Sequence, residues 1–144
     1  MKSQFSKIAK IRKQKRDTIE TELIKSQNKE RLYSHKIASL YSDIASITIP
    51  SEGAISLLRM IGEQKMVLNR EKKYCEQELL VAKQRSKQLQ LEYKKAHIEY
   101  EKFKYLEEQE LHMMIEKIKK QEQLYLDEVS TLLFAGKHNK RGQV

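Results

Sequence analysis

Residues 75–103 read CEQELLVAKQRSKQLQLEYKKAHIEYEKF. Alternate steps of four and three pick out Cys75, Leu79, Ala82, Ser86, Leu89, Tyr93, Ala96, Tyr100 and Phe103, of which only Ser86 is polar. The residues between them are mostly Glu, Gln, Lys and Arg, and no Gly or Pro interrupts the run. Such spacing keeps an apolar stripe on one side of a helix that supercoils left-handedly against a partner. The stripe is narrower than the apolar arc of a helix packed into a globule, so it reads as a coiled-coil seam.

Working outward, the partner helix lies upstream. Tyr33, Ile37, Leu40, Ile44 and Ile47 keep the same spacing, Ile19, Leu23 and Ile24 extend it toward the N-terminus, and Phe5, Ile8 and Ile11 supply the apolar residues of the first turns. Ser26 and Glu30 fall at core positions as polar exceptions. Between the two runs, Thr48-Ile49-Pro50-Ser51-Glu52-Gly53 holds the single Pro of the chain, which ends a helix and pushes its predecessor out of helical geometry. The pattern predicts an all-α chain with two long helices in an antiparallel coiled-coil hairpin. Helix one runs over about 3–47, the turn over 48–52, helix two over about 52–135, and a flexible basic tail over 136–144. Ser51 is the expected N-cap of helix two, and Gly136 the left-handed residue that closes it.

Reflection through a turn centred near Pro50 and Ser51 predicts the register. Ile44 meets Leu58, Leu40 meets Ile61, Tyr33 meets Leu68, Leu23 meets Leu79 and Ile19 meets Ala82, while Ser26 falls opposite Cys75 and Glu30 opposite Lys72. Phe5 then lies near Ala96, and helix two continues without an intramolecular partner. After Phe103 the stripe changes phase through consecutive steps of four, a stutter that locally unwinds a supercoil. The extension carries Leu111, Met113, Met114, Ile115, Ile118, Leu124, Tyr125, Leu126, Val129, Leu132, Leu133 and Phe134, an exposed apolar patch of the kind that marks an interaction surface.

Composition narrows the function. The 144 residues are 34% charged, with one Cys, no Trp and a net charge of +9, too little bulky apolar material for a large closed core. A lone Cys75 on the seam fits a small buried hydrophobe in a reducing compartment. No apolar run approaches the ~20 residues that span a bilayer, and no signal-peptide pattern opens the chain, so a soluble cytoplasmic protein is expected. Charge is concentrated at the ends. Seven basic residues (Lys2, Lys7, Lys10, Arg12, Lys13, Lys15 and Arg16) precede the first acid, Asp17, and the last residues add Lys137, Lys140 and Arg141. Such patches suit acidic protein surfaces, nucleic acid or anionic headgroups.

Chemistry-bearing motifs are absent. The histidines (His35, His97, His112 and His138) share no helical face at metal-ligand spacing, and no phosphate loop or nucleophile motif occurs. Glu107, Glu108 and Glu110 lie on a solvated helix without a cleft to perturb them. No enzymatic activity, metal, cofactor or small-molecule substrate is expected.

The two ends carry a resemblance. Phe5-x-x-Ile8-x-x-Ile11-Arg12-Lys13, followed by Glu20-x-x-Leu23, resembles the opening of the FliJ family, coiled-coil proteins of the flagellar type III export apparatus. Glu122-Gln123-x-x-Leu126-Asp127-Glu128 is similar to that family's closing segment. The resemblance implies a hairpin like the central stalk of rotary ATPases, inserting its chain ends into the export ATPase hexamer. It implies a second contact with the cytoplasmic domain of the export gate, escort of export chaperones, and peripheral attachment to the inner membrane through the apparatus. Carried onto this chain, the ATPase-facing residues are Phe5, Ile8, Arg12, Lys13, Leu126, Asp127 and Glu128, and the apolar end adds Val129 and Leu132. The injectisome counterpart of the stalk stays open, and the isolated protein is expected to be a monomer or weak dimer. Two other readings are a dimerising coiled-coil scaffold, in which the extension pairs with itself, and a basic-arm nucleic-acid binder, which the thin aromatic interleaving disfavours.

Overall fold

A computed structural model describes residues 4–142, with side chains as far as Lys137. Two helices make up the fold, α1 (Gln4–Ser46) and α2 (Ile55–Gly142), with no strand among the described residues. They form the expected hairpin, and α2, at 88 residues against 43, is the longer arm. Ser3, where the sequence starts helix one, and residues 143–144 of the expected tail lie outside the described residues.

The chain divides into two compact units, residues 13–98 and residues 1–12 with 99–144. In the first, α1 contributes Ile19, Leu23, Ser26, Glu30, Tyr33, Ile37, Leu40 and Ile44, all buried or half-buried at alternating steps of four and three. From α2 come Ile61, Lys65, Leu68, Lys72, Cys75, Leu79, Ala82, Ser86, Leu89, Tyr93 and Ala96, in the same rhythm. The most enclosed seam residues of this unit include Leu89, 1% exposed, together with Cys75, Ala82, Ala96 and Leu40. Cys75, Ala82, Leu89 and Ala96 are spaced by sevens, so one heptad position is filled mainly by small side chains. Small knobs let two backbones approach, and full burial of one large apolar side chain such as Leu89 contributes roughly 1.5–3 kcal/mol.

The pairing register differs from the reflected one. Arg16 Nη1 lies 3.3 Å from His97 Nδ1, Ser26 Oγ lies 3.1 Å from the Ala82 carbonyl, and Lys72 Nζ sits 4.4 Å over the Tyr41 ring. Ser26 therefore faces Ala82 and Ser86, not Cys75, and Glu30 reaches Ser86, not Lys72. The expected pairs from Ile44 with Leu58 to Ile19 with Ala82 shift accordingly, by about one heptad along α2. The cause is the connection. Reflection assumes that both helices pair from the turn onward, whereas residues 47–54 are non-helical and Ile55, Leu57, Leu58 and Met60 at the start of α2 are exposed.

Boundaries shift as well. The turn spans 47–54 rather than 48–52, and α2 starts after Ala54, whose carbonyl accepts from Leu57 N and Leu58 N. Ala54, not Ser51, is thus the residue preceding the first turn. At the far end, the close expected at Gly136 does not occur. No glycine has a positive φ among the described residues, a Cβ at Gly136 would meet nothing within 4 Å, and the helix runs on to Gly142. A glycine inside a helix costs only about 1 kcal/mol relative to Ala, which neighbouring turns absorb.

Candidate partner-binding surface

The second unit sets the start of α1 against α2 just after residue 98. Phe5 is half-buried, its ring centroid 6.5 Å from that of Phe103. The Arg12 guanidinium lies 5.6 Å from the centre of the same ring, and Lys102 Nζ approaches it at 5.9 Å, so two cations face one aromatic side chain. Ala9 is the buried residue of this turn, 5% exposed, because 5, 9 and 12 continue the four-three spacing. Ile8 and Ile11, the conspicuous apolar choices in the sequence, point outward at 37% and 62% exposure. The spacing extrapolated from Ile19 was the available signal for Ala9, obscured by the larger isoleucines beside it.

Beyond this contact α2 has no described partner helix. Leu111, Met113, Ile115, Ile118, Leu124, Tyr125, Leu126, Leu132 and Leu133 are all exposed. Turning 100° per residue, Leu111, Met114, Ile115, Ile118, Tyr125, Leu126, Val129, Leu132 and Leu133 fall within an arc of roughly 120°, interrupted by Glu122. That arc is wider than a two-helix seam needs. It suits a surface that embraces the helix.

The residues singled out in the sequence fall in two places. Phe5 and Arg12 approach Phe103 and Ile8 faces outward on the same stretch of α1, while Leu126, Asp127, Glu128, Val129 and Leu132 lie on the extension, at least 23 positions beyond Phe103 along α2. At 1.5 Å per residue the two groups are separated by about 35 Å of helix. They form two surfaces, not one cluster. Leu126, Asp127, Glu128 and Leu132 are exposed and Val129 is half-buried by its own helix. Asp127 orders its surroundings, its carboxylate accepting from Gln123 Nε2 at 3.2 Å and its carbonyl from Thr131 Oγ1 at 2.8 Å. Lys13 is exposed and belongs to the first unit.

A polar layer in the first unit is the other chemically distinctive place. Ser26 and Ser86, both buried, stand 2.8 Å apart, and Ser86 donates to Glu30 Oε2 at 2.9 Å. Two hydroxyl protons serve three contacts: Ser86 gives its proton to the carboxylate, and Ser26 shares its own between Ser86 Oγ and the Ala82 carbonyl. Polar groups at core positions fix register, because a slip would leave them buried and unpaired. No group of three or more His, Cys, Asp or Glu side chains is placed to hold a metal ion among the described residues. Nor is any helix long and apolar enough to cross a membrane among them.

The layout is thus a hairpin with one buried seam, basic residues at the opening of α1 and an apolar extension on α2. A family model described as the flagellar FliJ protein matches residues 1–139. The chain belongs to the FliJ family. No curated protein and no solved structure matches it. Family membership makes this a flagellar coiled-coil protein, of a family of non-catalytic flagellar components, and it supports the resemblance carried by the two chain ends.

Proposed function

We propose that the chain is the non-enzymatic stalk of the flagellar type III export apparatus, which inserts the extension of α2 into the export ATPase hexamer. The observation that carries this reading is the broad exposed face from Leu111 to Leu133 on a helix with no described partner there. Leu126, Val129 and Leu132 supply apolar contact, with Glu128 flanking that face and Asp127 on the opposite side of the helix. Ile8 and Lys13 offer outward-facing groups at the opening of α1, while Phe5 and Arg12 act by fixing that opening on Phe103. A second contact with the cytoplasmic domain of the export gate and the escort of export chaperones complete the reading, and they place the protein in the cytoplasm at the inner membrane. The flagellar family match favours the flagellar machine over its injectisome counterpart.

The test is steady-state ATP hydrolysis by the cognate export ATPase, titrated with this chain while ring assembly is followed by light scattering. Stimulation with assembly is expected, and Leu126→Ser/Val129→Ser/Leu132→Ser should abolish both while leaving the helical signal intact. Stimulation that survives the triple substitution would move the ATPase contact elsewhere.

A further inference from the structure

Two outward surfaces of the second unit complement each other in charge and in apolar character. Over 107–136 the apolar face of α2 holds three charged residues, Glu107, Glu108 and Glu122, and every lysine of that stretch lies outside its arc. Glu108 and Glu122 are exposed, and Glu107 is half-buried. At the opening of α1, a turn of 100° per residue places Lys7, Ile8, Lys10 and Ile11 on the side away from Phe5, Ala9 and Arg12, and all four are exposed. No acidic residue precedes Asp17. One surface is thus apolar and acidic, the other apolar and basic. A chain cannot join its own two surfaces. The α1 opening is held at Phe103 with these four residues turned outward, and α2 continues as one unbroken helix to Gly142, so it does not fold back over them.

We propose that the free chain pairs with a second copy of itself, the α2 extension of each copy covering the outward face of the other's α1 opening. Charge selects this occupant. The basic opening offsets the glutamates of the face, whereas extension on extension would bring two acidic faces together. Ile8 and Ile11 supply the apolar half of the match, against the leucines and isoleucines of the arc. A two-fold axis across the hairpin reverses the second copy, so its α1 runs parallel to the extension that covers it, and both contacts form at once. Such an isologous pair closes on itself as a dimer and does not polymerise. The pairing goes beyond the ATPase reading and requires no second protein, but it uses the same face of the extension. Self-pairing and insertion therefore exclude each other, and the dimer keeps the extension covered until the ATPase competes for it.

The test uses the full chain and two charge variants, Lys7→Glu/Lys10→Glu and Glu108→Lys/Glu122→Lys, in sedimentation equilibrium, with far-UV circular dichroism following helix content. The unaltered chain should show a reversible monomer–dimer equilibrium in roughly the micromolar range. Each variant alone sets like charge against like charge at both contacts and should dimerise about tenfold more weakly or worse. In an equimolar mixture the altered opening meets the altered extension, and the unaltered opening meets the unaltered extension, so dimerisation should return. If a charge variant loses helix content, Ile8→Ser/Ile11→Ser, outside the seam, should weaken the dimer in its place. A chain that stays monomeric up to roughly millimolar concentration would overturn the proposal. So would variants that dimerise as tightly as the unaltered chain, or a mixture no tighter than its components. A monomeric chain that still stimulates the ATPase removes the pairing alone, and a dimer that never stimulates it removes the ATPase reading alone.

Discussion

The stripe from Cys75 to Ala96 and the stripe from Leu111 to Leu133 lie on one helix, and both are apolar, yet one is enclosed and the other open. The enclosed stripe uses small residues (Cys75, Ala82, Ser86 and Ala96), with Leu89 as its most buried large side chain. The open stripe uses Leu, Ile, Met and Tyr and spreads over a wider arc. Small residues at a seam suit close approach of a second helix from the same chain. Bulky residues over a broad arc present area for capture by another molecule, at the cost of exposing it meanwhile. One helix thus combines an enclosed half with a half whose apolar side chains are largely exposed.

The sharpest way to break this comparison is to apply the same kind of truncation to both stripes. Leu89→Ala should destabilise the hairpin by about 2–5 kcal/mol, since it removes a fully enclosed side chain from a packed seam. Leu132→Ala, at 68% exposure, should change stability by less than about 0.5 kcal/mol. Urea denaturation followed by circular dichroism measures both, and equal effects would mean that the extension is packed within the chain. Next in size, Ser86→Ala removes the donor to Glu30 and strands the Ser26 layer, which should cost about 1–3 kcal/mol in the same assay. Arg12→Ala loses the guanidinium over Phe103, with an expected loss of about 0.5–1 kcal/mol. Smallest is Gly136→Ala. In a continuing helix it should slow amide exchange around residue 136 by an amount equivalent to at most about 1 kcal/mol, whereas a left-handed glycine there would make the change destabilising.

Much of the hairpin was legible in the sequence, because the four-three spacing of Tyr33–Ile47 and Cys75–Phe103 and the lone Pro50 leave few alternatives. The register was not. Heptad patterns match almost as well after a slip of seven residues, so placing Ser26 on Cys75 satisfied the pattern while being one heptad out. The discriminating signal lay in the polar exceptions taken together. Ser86 is the one polar position of the decisive stretch, and it belongs with Ser26 and Glu30, because burying any of them beside an apolar residue leaves a hydrogen bond unmade. Reflection through Pro50 concealed this by assuming a tight, symmetric turn. At the opening of α1, side-chain size misled in the same way, since Ile8 and Ile11 look like core and Ala9 and Arg12 hold the seam positions. The apolar extension was legible as residues, but its separation from Phe5 and Arg12 by about 35 Å of helix depended on the register.

Hydrogen exchange, followed by mass spectrometry on the dilute chain with and without the export ATPase hexamer, tests the division of α2 most directly. Residues 75–103 should exchange slowly in both samples, while residues 111–137 exchange rapidly alone and become protected with the ATPase, because an unpartnered helix opens locally and a docked one does not. Protection of 111–137 equal to that of the seam in the dilute chain alone, or no change on adding the ATPase, would contradict the account.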